Sequence, residues 1–306
     1  MSLSFPHSMK VARGECCMGV LRNDLRTYSD KPVNICASAR QMFGKNKSRT
    51  IVVEGDNDRR FLGNWLSGCR FHVCKGKSFV IETYEYYKSN KNKYNSNAPF
   101  IYFIADLDFD LITKKDIIVD DCFIYNSLCS VQSYNDMEAF LVSTPSFEKV
   151  LSNFDVGANE ASSLRHKLRR ASSVLGSFRA ADLLVQKEGG IRRSVLNGFD
   201  FYPYFDPKDV CVDPCSIEKG IRKHLCSDRG RVDSLIIKAK CLRDEHSEGW
   251  GLSRGHDITE LLSLYIRDGL SKRHGDLEML LRVACERVYF ESSPVGKSLR
   301  RIGLLP

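Results

Sequence analysis

Short apolar runs alternate with amphipathic stretches between residues 49 and 142, and the pattern turns helical from Pro145 onward. Arg49-Thr-Ile-Val-Val-Glu-Gly55 is a β-branched run closed by an acid and a glycine. That is how a buried parallel strand delivers its last side chain to the carboxyl edge of a sheet. Asp56-Asn57-Asp58 then offers a helix N-cap, with Phe61, Leu62, Trp65 and Leu66 at helical spacing behind it. A second strand is expected at Arg70 to Cys74, and Phe79 to Tyr87 reads as opening in strand and continuing in helix. Phe100 to Ala105 is almost entirely apolar and predicts a central strand that runs into Asp106-Leu-Asp108-Phe-Asp110.

A further strand is expected around Cys122 to Asn126, ahead of Ser133-Tyr-Asn-Asp-Met-Glu138, where Asn135 or Asp136 caps a helix carrying Glu138 in its first turn. This alternation predicts an α/β fold, a parallel sheet with helices on both faces that binds its ligand beyond the strand carboxyl ends. Residues 1–48 lack a sustained period and read as an N-terminal extension, although Ala37 to Phe43 fits a short helix. Beyond Pro145, helices are expected over 162–184, 231–243, 256–268 and 276–290. The aromatic passage Phe199 to Asp206 reads as packing between the two regions.

Composition narrows the setting. With 42% hydrophobic and 27% charged residues in 306, the chain is that of a folded globular protein. Met1 to Arg13 has no apolar core of signal-peptide length and no later stretch approaches a membrane span, so a cytoplasmic protein without a membrane partner is expected. The 12 cysteines then read as reduced thiols. Cys211, Cys215, His224 and Cys226 match no paired zinc spacing. The net charge of +8 suits a polyanionic partner and equally a merely soluble basic surface.

The chemistry gathers at one edge. Glu54, Asp106 and Asp108 follow separate buried strands, and carboxylates brought together repel unless a hard divalent cation neutralises them. Magnesium, or manganese, is therefore the expected cofactor. Asp106 and Asp108, two apart in an extended segment, are expected to point the same way. An EF-hand is excluded, because Leu111 and Ile117 stand where its glycine and glutamate belong.

Val53-Glu54-Gly55, the downstream Asp58 and the strand entering Asp106-x-Asp108 resemble the Toprim pattern of topoisomerases, primases and OLD-family nucleases. Ile104 to Asp110, Ser133 to Glu138, Leu175-Gly-Ser-Phe-Arg179 and Gly255-His-Asp257 are similar to OLD-like Toprim proteins of prokaryotic defence, nearest to the Toprim effectors of PARIS anti-phage systems. The resemblance implies a Rossmann-like Toprim catalytic domain over 49–144 and a mainly α-helical C-terminal region over 145–306. It also implies metal-dependent cleavage of DNA or RNA, with tRNA a candidate target. In that reading Glu54 is ligand or general base, Asp106 and Asp108 are ligands, and Glu138 is a further catalytic ligand, with Asp58 and Asp110 available to a two-metal site. An ABC-class ATPase that restrains the nuclease is the implied partner, and a homodimer is compatible with it.

The cationic helper stays open. Histidine stands at His256, where some OLD-like nucleases carry a lysine, and Lys75, Lys77 and Arg254 are the other candidates. Lys88, Lys91 and Lys93, interleaved with Tyr84 to Tyr94, suit either nucleic-acid contact or an exposed loop. Arg165, Lys167, Arg169, Arg170 and Arg179 suit either a phosphate track or a solvated helix face. Glu138 either binds metal or only favours a helix N-terminus, and Asp110 either binds metal or caps a turn. Two other functions compete: a Toprim-like binding module that does not cleave, and a haloacid-dehalogenase-like phosphatase, which expects Thr or Val at Asp110 and leaves Glu54 idle.

Overall fold

Proline at the first helical position and a left-handed residue past the end bound the first helix, α1 (Pro32–Asn46), in a computed structural model that describes residues 30–94, 99–127, 134–190, 193–224, 229–266 and 274–305. Cys226, Ser133 and Met1 to Arg13, each invoked above, lie outside the described residues.

The apolar runs form β1 (Thr50–Val53), β2 (Arg70–Val73), β3 (Ile101–Ala105) and β4 (Phe123–Tyr125), all parallel, in the order β2-β1-β3-β4. Helix α2 (Asp56–Gly63) follows β1 and α3 (Lys77–Ser89) follows β2. Because side chains alternate across a strand, the two faces bury different sets. Val52, Phe103, Ala105 and Phe123 pack with Ile35 and Ala39 of α1 and with Val80, Tyr84 and Tyr87 of α3. Ile51, Val53, Ile104 and Ile124 pack with Phe61 and Leu62 of α2 and with the helical remainder of the chain. Each large apolar side chain fully buried this way stabilises the fold by about 1.5–3 kcal/mol.

Three expectations change here. Residues 77–89 are helical throughout, and no strand opens them. Tyr84 and Tyr87 are buried on that helix, with Tyr94 of a short 3-10 turn (Lys91–Tyr94) stacked on Tyr87 at 6.0 Å. This stretch is a packing surface with its lysines outside, because the aromatic spacing follows a helix and fills the sheet's outer face. Helix α1 also lies within the stretch read as an extension, yet it packs on α3 and β3.

The chain past β4 is mostly helical. It comprises α4 (Met137–Val142), α5 (Ser146–Ser152), the long α6 (Ala158–Gly189), a two-residue hairpin of β5 (Phe205–Asp206) and β6 (Cys211–Val212), α7 (Pro214–His224), α8 (Arg229–Glu245), α9 (Gly255–Tyr265), α10 (His274–Ala284), α11 (Arg287–Ser292) and α12 (Pro294–Arg301). Helix α8 runs against α6, and α9 and α10 pack on each other beside α4. Gly176 lets α6 approach the chain at Leu252, whose carbonyl occupies the place a Cβ would need. No described helix is long and apolar enough to cross a membrane.

Candidate functional site

The site forms where the strands end. Glu54 is the first residue past β1, and its Oε1 accepts a 2.7 Å hydrogen bond from the backbone N–H of Asp106, the first residue past β3. Gly55 caps α2, and its N–H donates to Asp58 Oδ2 at 2.9 Å, which turns Asp58 back toward the strand end. Past β4, Asp136 caps α4 by accepting from the Ala139 N–H at 2.8 Å, and the Met137 N–H donates to Asp106 Oδ1 at 3.2 Å.

Two helix starts meet at this point. The Gly255 N–H, at the start of α9, donates to Asp136 Oδ2 at 2.8 Å. A side chain at 255 would collide with Asp136 and Glu138, which is why the Gly255-His-Asp257 segment needs its glycine. The cleft so formed is lined by Glu54, Asp58, Asp106, Asp108, Asp136 and Glu138, with Glu278 of α10 opposite and Arg254 and His256 on its rim. Arg282 Nη1 donates to Glu138 Oε1 at 2.7 Å, and His256 Nδ1 lies 3.2 Å from Glu278 Oε1.

Burial sets the electrostatics. It pushes the Glu54 carboxyl up to about 7, against the Asp106 N–H bond and with help from Asp108 and Asp58. It raises Asp136 to about 6 and Glu138 to about 8; for Glu138, Asp136 and Glu278 add to burial and outweigh Arg282. Asp106 is held well above the ordinary aspartate value by burial and then by Asp58, Glu54, Asp136 and Glu138 together, and burial raises Asp58 as well. These groups resist being charged together, the condition in which a cation with oxygen ligands is favoured.

Asp106 and Asp108 both reach the cleft, but not by an extended path. Asp108 has φ 51°, its N–H bonds the Asn135 carbonyl at 2.6 Å, and its carboxylate lies 3.3 Å from Lys77 Nζ. Leu107 is buried between the two aspartates, and Lys77 of α3 holds both its carbonyl and the Asp108 carboxylate. Asp110 does not line the cleft. It is buried against Lys77 at 2.6 Å and Lys115 at 3.4 Å, so its charge is already met.

The proposed cations divide. Arg254 and His256 stand at the cleft, whereas Lys77 is occupied by Asp108, Asp110 and the Leu107 carbonyl. Burial works to lower the Lys77 pKa, but the two aspartates outweigh it and raise it. Lys75 lines a separate pocket with His72 and Phe79 beside β2. Lys88 sits over the Tyr84 ring, Lys93 bonds Asn90, and with Lys91 they lie on α3 and the 3-10 turn, not among the residues that line the cleft.

On α6, Arg165 pairs with Glu148, Arg169 bonds the Gly249 carbonyl, and Arg179 clamps the fully buried Asp257 with two 2.9 Å hydrogen bonds. These three are internal struts, not a phosphate track. Lys167 and Arg170 line a groove against β6.

Asp136, Glu278, Asn57 and Arg282 were not singled out as site residues in the sequence. Asp136 and Asn57 carried a signal, each at a candidate capping position; Glu278 and Arg282 arrive from a helix whose place depends on tertiary packing. Among the described residues, no three Asp, Glu, His or Cys side chains already stand as a ligand group. The reason is visible in the bonds above, since Glu54, Asp58, Asp136 and Glu138 are each turned toward a protein donor. The donor chemistry, oxygen-rich and mutually repelling, fits a hard divalent ion. Comparison of the sequence with protein-family profiles and with curated proteins gives no match.

Proposed function

We propose that this protein is a magnesium-dependent, Toprim-like endonuclease acting on nucleic-acid phosphodiesters. The observation that carries the reading is the convergence of Glu54, Asp58, Asp106, Asp108, Asp136 and Glu138 on one cleft at the carboxyl edge of a parallel sheet. Glu54, Asp106 and Asp108 hold the ion, with Asp58 and Glu138 within the same cleft for a second. Manganese fits the same oxygen set. Bound there, the cation supplies Lewis-acid charge to a phosphoryl oxygen and lowers the pKa of water.

The chain's own groups do the rest. Glu54, with one oxygen fixed by the Asp106 N–H at 2.7 Å, serves as a ligand of the ion or, in place of that, as the general base that takes a proton from water. Arg254 and His256 line the same cleft as the carboxylates and are the cations available for charge that develops on the phosphate oxygens, with His256 Nδ1 3.2 Å from Glu278 Oε1. A phosphatase built on Asp106 leaves Glu54 without a task, whereas here Glu54 bonds directly to the Asp106 main chain. The reading includes the partner that the Toprim resemblance implies, an ABC-class ATPase that restrains the nuclease, and a role in antiviral defence.

The test is incubation of the full chain with total tRNA, single-stranded DNA and plasmid in magnesium, manganese or EDTA, beside Glu54→Ala and Asp106→Ala. Metal-dependent cleavage that disappears in both variants is expected. Toxicity in cells that persists in Glu54→Ala would remove catalysis at this cleft.

A further inference from the structure

A second groove opens beside the carboxylate cleft, between α2 and α10, and shares Asn57 and Glu278 with it. Its two walls differ in chemistry. Asn57 and Arg60 on α2 and Asn64 at its C-cap recur at helical spacing and present two amides and a guanidinium. Met279 and Val283, one turn apart on α10, line the other wall together with Glu278 and Arg282 and are 51% and 76% exposed. Phe61 closes the floor. Among the described residues no carboxylate is paired with Arg60, while its neighbour Arg59 is paired with Asp56.

We infer that this groove seats the unpaired strand flanking the scissile phosphate: a single-stranded nucleic-acid segment, with Arg60 on its backbone and base faces against Met279 and Val283. The inference rests on the nuclease reading, since the strand must continue from the cleft into the groove. Single strands are favoured over duplex on two grounds. The exposed Met279 and Val283 side chains offer apolar contact to an unstacked base face, which a duplex keeps covered. Two of the cleft's acids, Asp136 and Glu278, are also buried, and a flexible strand follows such a recess more closely than a duplex does. Amides and a guanidinium opposite apolar methyl groups read backbone and stacking surface without demanding one base.

The experiment measures binding of fluorescein-labelled 10-nucleotide RNA and DNA strands to the full chain in calcium, by anisotropy at two salt concentrations. Arg60→Ala, Met279→Glu and Val283→Glu are compared with Lys88→Ala, and all are checked for unchanged melting. Arg60→Ala is expected to weaken binding about fivefold and to lower the salt slope by about 1, and each glutamate to weaken it about tenfold or more. Lys88→Ala is expected to bind as the wild type does. Strands carrying 4-thiouridine should crosslink to peptides of α2 and α10.

Binding unchanged within about twofold in all three groove variants, crosslinks confined elsewhere, or no strand binding at all would overturn the inference. So would competition by poly-glutamate as effective as unlabelled strand, which would assign the groove to an acidic protein partner. Strand binding at the groove by a chain whose toxicity in cells persists in Glu54→Ala keeps the groove as a single-strand site and removes the nuclease reading. Cleavage indifferent to the groove variants does the reverse.

Discussion

Glu54 Oε1 and the Asp106 N–H are joined by a 2.7 Å hydrogen bond, so the last side chain of one strand is fastened to the main chain leaving its neighbour. This bond registers the two acidic motifs, 52 residues apart in sequence, to one another. It also separates two roles of Glu54, acceptor and charge.

Glu54→Gln keeps an acceptor for the Asp106 N–H and loses the charge, whereas Glu54→Ala loses both. Cleavage is expected to fall by about 100-fold or more in either variant. Melting in EDTA should stay at the wild-type value in Glu54→Gln and drop in Glu54→Ala by a few degrees, the effect of one buried hydrogen bond. Equal melting of the two variants would mean that the bond contributes nothing to the fold.

Glu54, Asp136 and Glu138 titrate near 7, 6 and 8 in the folded protein, above their ordinary carboxylate values. The folded state therefore binds more protons than the unfolded chain between about pH 4.5 and 8, and stability must fall as pH rises through that window. Scanning calorimetry in EDTA should show a lower melting temperature at pH 8 than at pH 5.5. Magnesium should restore several degrees at pH 8 and little at pH 5.5, where the same groups hold their protons. A flat profile in EDTA would contradict the burial that raises these groups.

Arg282 is the protein's own counter-ion for Glu138, at 2.7 Å, with Glu278 at 3.8 Å. Arg282→Ala leaves two largely buried carboxylates without it and, at pH 9, where Glu138 is charged, should destabilise the chain in EDTA by about 3 kcal/mol, measured by urea unfolding. Saturating magnesium should recover part of that loss; equal losses with and without the ion would show that Glu138 does not take part in binding it.

Asp257 is fully buried and satisfied by Arg179 and by the Tyr202 hydroxyl at 3.2 Å. Arg179→Met strands its charge and should cost about 3–5 kcal/mol. Gly176→Ala drives a methyl group into the Leu252 carbonyl and should cost about 1–3 kcal/mol. Both losses are read from urea midpoints, and neither variant should change the metal requirement of any cleavage.

What the sequence alone determined is what local pattern can encode. The runs at 50–53, 101–105 and 123–125 announced strands because apolar continuity marks a parallel sheet covered on both faces, while Arg70–Val73, partly exposed, forms the edge beside them. The acids just past those strands announced the edge at which they would meet, and Asp136 was legible as a cap. Tertiary structure decided the rest, because it depends on contacts between distant segments. Tyr84 and Tyr87 became core because the sheet's outer face needed filling, and Asp110 was withdrawn from the cleft because Lys77 and Lys115 reached it first. Glu278 and Arg282 joined the cleft only because α10 packs beside α4, more than 130 residues away in the chain. No periodicity records such a meeting, since it is set by which apolar faces bury one another.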